Sequence, residues 1–127
     1  MKRYVVDTSF VSSFFNSEDI NHSKALQLAK SIYSEYIIVP SVVIAELSTS
    51  FSKNEDFTNL ILENVFDIAS EIFPLDESNI FDYLAFQKDR ANNLKALDSI
   101  ILYSALVSDA ELLTFDKKLK RKYKDLI

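Results

Sequence analysis

RYVVDTSF, at residues 3–10, places Val5 and Val6 directly before an aspartate. β-Branched residues in so short a run favour extended backbone, so residues 3–7 are predicted as a short buried strand. A helical stretch around residues 10–15 follows it. An aspartate after a strand is common by itself, but here it puts a carboxylate at the edge of a segment that should be buried.

Working outward, His22, Ala25, Leu26, Ala29, Ile32 and Tyr33 recur at helical spacing and predict an amphipathic helix over about residues 19–34. The β-rich YIIV at 36–39 is stopped by Pro40, and proline suits the first turn of the helix predicted over 41–52. Phe57, Leu60, Ile61, Val65, Ile68 and Ala69 mark another amphipathic helix. Residues 71–75 (EIFPL) are a strand candidate that Pro74 confines to a sheet edge or a strand end. Two more apolar stripes follow, Ile80, Phe81, Leu84 and Ala85, then Leu94, Leu97, Ile101 and Ala105. ELLT at 111–114 is predicted as a strand, 116–122 as a basic helical turn, and Leu126 and Ile127 as a last short strand. Strands that alternate with helices imply the α/β class, a parallel sheet with helices on both faces and right-handed crossovers.

The chain has 127 residues, and with no repeat or linker it is expected to form one domain spanning 1–127. Such a length buries roughly two-thirds of the unfolded surface, enough to fold without disulfides. Cysteine is absent, which excludes thiolate catalysis and zinc–thiolate sites, and His22 is the only histidine, which excludes a two-imidazole mechanism. Glycine is absent too, so turns must use Asn, Asp, Ser, Lys and proline. Lys2 and Arg3 before an apolar stretch resemble the start of a signal peptide, but Asp7 soon interrupts it and no cleavage site follows. With no stretch approaching the ~20 apolar residues that cross a bilayer, the expectation is a soluble, cytoplasmic protein with no membrane role. Net charge is −5, and that field opposes the approach of a polyanion, so any nucleic-acid partner needs local basic patches or metal ions.

Most of the 19 acidic residues sit where solvated charges belong, such as Glu55 and Asp56 near a helix start. Four do not. Asp7 ends the first strand, Glu46 interrupts VVIAEL, Asp98 lies between Leu97 and Ile100, and Asp116 follows LLTF. Each is predicted in or beside a buried segment, where an unpaired carboxylate costs several kcal/mol. Helix capping by Asp7 and Asp116 is the simplest alternative, and Lys95 could pair with Asp98, but no set of buried cations matches all four. In an open parallel sheet, ligands bind beyond the carboxyl ends of the strands, where Asp7 and Asp116 are expected. Converging there, the four would need a divalent cation, and oxygen ligands alone select a hard one, Mg²⁺ or Mn²⁺.

YVVDTSF, VIAEL, LDSIILYSAL and LLTFD, in this order, resemble the PIN domain, and especially the toxin ribonucleases of VapBC toxin–antitoxin pairs. The resemblance implies a three-layer α/β/α sandwich around a parallel sheet of about five strands. It also implies a nuclease that cuts RNA with Mg²⁺ or Mn²⁺, leaves 5′-phosphate and 3′-hydroxyl ends, pairs with a small antitoxin and forms a homodimer. Asp7, Glu46, Asp98 and Asp116 match the family's four acidic metal-site positions. Ser9 and Thr114 match its hydroxyl positions, which would orient a carboxylate or a bound water. Ser99, after the third acid, stands where alanine is more usual. KKLKRKYK at 117–124 is the densest basic stretch, and Lys117, Lys118, Lys120 and Arg121 are candidate phosphate contacts beside Asp116.

His22 at the start of an apolar helix face reads as structural or half-exposed, and Phe10, Phe14 and Phe15 as core or dimer contacts. Two other enzyme classes also begin with a strand and an aspartate. The haloacid-dehalogenase-like phosphatase needs a second aspartate at position 9, which is serine here, and a receiver domain needs an early acidic pair and a central phosphoacceptor, neither of which stands out. The remaining alternatives are a PIN nuclease of RNA processing without an antitoxin and a silent PIN-like module that only binds a partner.

Overall fold

The computed structural model describes residues 1–51 and 53–127. Strand β1 (Arg3–Val6) is followed by helices α1 (Thr8–Phe15) and α2 (His22–Ile32), and β2 (Tyr36–Pro40) by α3 (Ser41–Ser50) and α4 (Glu55–Ile68). Strand β3 (Glu71–Phe73) precedes α5 (Ile80–Arg90) and α6 (Ala96–Val107), and β4 (Glu111–Leu113) precedes α7 (Lys117–Leu126).

The strands lie in the order β3-β2-β1-β4, and every neighbouring pair is parallel. From β1 the chain moves one way to β2 and β3, then crosses back past β1 to β4. Right-handed crossovers therefore set the helices of the β1–β2 connection and those of the β3–β4 connection on different faces, while α3 packs on both α1 and α6. The direction reverses between β1 and β4, and that reversal opens a crevice beyond their carboxyl ends.

Helix α6 has the most interior position. Its residues from Ser99 to Ala105 are all buried, as its apolar sequence ALDSIILYSALV requires, and it packs on β1, β4, α3, α5 and α7. Val5 and Ile38 from the sheet, Val43 and Leu47 from α3, and Ile101 and Leu102 from α6 are fully buried in the same core. Among the described residues, no helix is long and apolar enough to cross a membrane.

Five expectations need correction. Among the described residues the sheet has four strands rather than about five. Leu126 belongs to α7, because Leu119, Tyr123 and Leu126 continue a helical stripe against the core, and Ile127 follows the helix end. Leu97 is 40% exposed, since the first turn of α6 projects past the core that buries the rest. The strand candidate at 71–75 ends at Phe73, before Pro74, on the sheet edge that proline permits. The helix expected over 41–52 ends at Ser50, and residue 52 lies outside the described residues.

Lack of glycine leaves a trace at the end of α6. Asp109 takes φ 51°, the left-handed conformation that usually falls to glycine. Around it, Ala110 N–H donates to Ala105 C=O at 2.9 Å and Asp109 N–H to Leu106 C=O at 3.2 Å, closing the helix end. Asp109→Val should cost about 1–2 kcal/mol through Cβ crowding, whereas Asp109→Gly should stay within about 0.5 kcal/mol of the parent. Urea denaturation tests this, and equal stability of the valine variant would refute it.

At the amino ends of the strands, side chains form a belt. The Arg3 guanidinium lies 4.6 Å from the Tyr36 ring centre, 3.9 Å from Glu71, and donates through Nε to Ser108 C=O at 2.8 Å. The Tyr36 hydroxyl donates to the same Glu71 carboxylate at 2.9 Å.

Candidate active site

Asp7 follows β1 directly, and its N–H donates to Leu113 C=O of β4 at 3.0 Å, extending the ladder by one residue. The side chain is 5% exposed. It stands at the N-cap of α1 yet makes no capping bond, so the capping alternative fails for this residue. Instead Oδ2 accepts from Thr114 Oγ1 at 2.6 Å and from Ser9 Oγ at 2.8 Å.

A hydroxyl has one proton to give. Ser9 Oγ accepts from Phe115 N–H at 3.0 Å, and Thr114 Oγ1 accepts from Asp116 N–H at 3.0 Å. The loop after β4 thus aims both hydroxyl protons at one oxygen of Asp7, and the 3.2 Å approach between Ser9 and Thr114 follows from that convergence. Among the described residues no hydrogen bond engages the other oxygen, Oδ1.

Glu46 lies in the second turn of α3, which begins where β2 ends. It is half-buried, and Oε1 accepts from Thr8 Oγ1 at 2.6 Å. Thr8 was not among the predicted site residues. The signal was present in the triplet DTS, where a hydroxyl follows the aspartate on either of the next two positions.

Asp116 is exposed, at the edge of the buried segment 112–114, because it lies beyond the strand at the open end of the crevice. Its Oδ1 accepts from Leu119 N–H at 3.0 Å, so it does cap α7. Asp98 sits half-buried in the first turn of α6. Burial, then the charges of Asp116, Asp7 and Glu46, hold its carboxyl above the ordinary carboxylate range, while Lys95 pulls the other way.

The four acids therefore share one electrostatic field. Among the described residues the ion pairs are Lys2–Glu111 and Arg3–Glu71, and neither involves these acids. They do not close into a coordination shell, and among the described residues no three acidic or histidine side chains form a ready-made metal cluster. Their chemistry fits a hard divalent ion: four carboxylates, oxygen donors only, and among the described residues no cation bonded to them.

Lys117, Lys118, Lys120 and Arg121 are exposed on α7 beside Asp116, and Lys118 Nζ donates to Asn93 C=O at 3.4 Å, near the start of α6. His22 is half-buried, with Nδ1 2.9 Å from Ser13 C=O, which matches its structural reading. Phe10 is buried and its ring stacks on Phe115 at 5.9 Å. Phe14 and Phe15 line an apolar groove of about 680 Å³ between α1, α2 and α4.

No curated protein matches the sequence. Among solved structures the fold is similar to that of VapC20 from Mycobacterium tuberculosis, described as a sarcin-ricin loop cleaving toxin, at 14% identity and TM-score 0.76, covering 93% of each chain. It is similar to FitAcB from Neisseria gonorrhoeae at 17% identity and TM-score 0.75, covering 95% of this chain and 93% of that one. VapBC2 from Rickettsia felis, bound to a DNA fragment from its promoter, is similar at 21% identity and TM-score 0.70, covering 94% of this chain and 92% of that one. The family model described as PIN domain matches residues 4–125, from the second residue of β1 through all but the end of α7, and with a parallel sheet to agree with it the chain belongs to the PIN domain family.

Proposed function

We propose that this chain is a divalent-metal-dependent endoribonuclease, the toxin of a VapBC-type toxin–antitoxin pair. The observation that carries the reading is the Asp98 carboxyl, which faces the charges of Asp116, Asp7 and Glu46, and among the described residues no ion pair engages any of the four. Asp7, Asp98, Asp116 and Glu46 would hold Mg²⁺ or Mn²⁺. When bound, the ion lowers the pKa of water and neutralises charge developing on a phosphate.

The chain's own residues set the geometry. Ser9 and Thr114 fix which Asp7 oxygen is free, and Thr8 fixes Glu46 from the adjoining turn. Asp116 keeps one oxygen on the α7 amide and offers the other. Lys117, Lys118, Lys120 and Arg121 would draw RNA phosphates toward that edge against the overall charge of −5. An antitoxin segment is the partner proposed for the apolar groove, whose lining includes Phe14, Phe15, Leu26 and Tyr33. One of the similar solved structures is a VapBC2, and the sequence motifs resemble those of VapBC pairs, which supports this choice. A homodimer and a cytoplasmic site of action belong to the same proposal.

Purified chain incubated with RNA and Mn²⁺ or Mg²⁺ should yield fragments with 5′-phosphate ends, and EDTA should stop the reaction. Cleavage that persists in EDTA would exclude the metal mechanism. The open spacing of the acids favours a second reading, a PIN scaffold that only binds a partner. Absence of both cleavage and Mn²⁺ binding would select it.

A further inference from the structure

Ser99 is 0% exposed and Tyr83 only 6%, and their hydroxyl oxygens lie 2.7 Å apart. The proton directions follow from the neighbours. Ser99 Oγ donates to Ala96 C=O at 2.8 Å, which uses its only proton. Tyr83 must then donate to Ser99, and its own approach to Ala96 C=O, at 3.5 Å, is too long to compete. A directed chain runs from α5 through Tyr83 and Ser99 to the Ala96 carbonyl. Ala96 and Ser99 bracket Asp98.

The start of α6 has little else to hold it. Its N-cap residue is Lys95, whose side chain makes no capping bond, and lysine has no acceptor with which to make one. First turns fray when their N–H groups lack such partners. Tyr83 is itself fixed, its ring 5.6 Å from that of Tyr103 in an edge contact.

We propose that Tyr83, acting through Ser99, is a positioning residue that locks the first turn of α6 and thereby aims the Asp98 carboxylate. The proposal rests on Asp98 belonging to the metal site. Its structural half, the locking of the turn, is measured separately.

Tyr83→Phe keeps the ring and removes the hydroxyl. Hydrogen exchange at the amides of residues 99–102 should accelerate about 2- to 10-fold, the worth of one hydrogen bond. Mn²⁺ binding followed by electron paramagnetic resonance should weaken by a similar factor, with kcat at saturating Mn²⁺ falling less than the affinity. Ser99→Ala, which leaves every ring in place, should loosen the same amides. Tyr103→Phe is the control. It removes the 2.7 Å bond to Asp82 from the same aromatic cluster but touches no part of the first turn. It should lower stability without changing exchange at 99–102 or Mn²⁺ binding.

Wild-type protection in Tyr83→Phe, or equal loosening by Tyr103→Phe, would overturn the proposal, as would loosened amides with unchanged Mn²⁺ affinity. A parent protein that binds no Mn²⁺ would overturn the nuclease reading and the aiming of Asp98 at a metal together. The exchange data would then show whether the lock on the turn survives alone.

Discussion

Asp7→Asn is expected to lower RNA cleavage at saturating Mn²⁺ by at least about 100-fold, since even residues that merely orient metal ligands cost 10- to 100-fold when changed. The argument lies in how the two oxygens are used. Ser9 and Thr114 both donate to Oδ2. In the variant the amide oxygen must take that place, because the amide nitrogen cannot accept a hydroxyl proton. The nitrogen then points where Oδ1 stood, so a donor faces the cation in place of an acceptor. Packing around Val5, Val6 and Leu113 is untouched, and the circular dichroism spectrum should match the parent's. Full activity in a correctly folded Asp7→Asn protein would remove Asp7 from the mechanism and, with it, the proposed site.

Asp98→Asn should lose activity to a similar extent, at least about 100-fold, but its effect on stability has the opposite sign from most losses of a functional group. The folded-state pKa of Asp98 is raised, first by burial and then by Asp116, Asp7 and Glu46. Between the ordinary carboxylate pKa and this raised value the folded protein holds more proton than the unfolded chain. This group's contribution to stability is therefore complete below the unfolded pKa and is lost as pH rises through the folded one. Asparagine carries no charge and escapes that loss. In EDTA at pH 7 the variant should melt above the parent by about 2 °C, the half-open position letting solvent screen much of the repulsion. Near pH 4 the difference should shrink. Added Mn²⁺ should raise the parent's Tm and leave the variant's nearly unchanged. Thermal melts across pH, with and without Mn²⁺, check every part, and a variant melting below the parent in EDTA at pH 7 would contradict the shared-field description.

The sheet was legible because parallel strands buried on both faces read as apolar runs: RYVV, YIIV and ELL stand where the periodicity puts them. The last helix was misjudged because its stripe of Leu119, Tyr123 and Leu126 is diluted by lysines, and two terminal apolar residues resembled a strand. Asp7 and Glu46 announced themselves by sitting in apolar company. Asp116 reads as the edge of such a segment with capping as its alternative, and it does cap α7, three residues beyond the strand. The partnership of Tyr83 with Ser99 was not legible, since 16 residues separate two hydroxyls that neither periodicity nor motif connects. Ser99 registered only as a departure from alanine. Its reason came from the neighbouring helix.

Arg3, Tyr36 and Glu71 clasp the strands at one rim, while Asp7 and its companions occupy the opposite mouth. Endurance and chemistry are thereby assigned to separate poles of a single sheet. Inherited variation at the clasp would register as altered abundance, through faster clearance of opened molecules. Variation at the mouth would alter what each surviving molecule accomplishes. A lineage could thus tune how long its copies persist without retuning the site at the mouth.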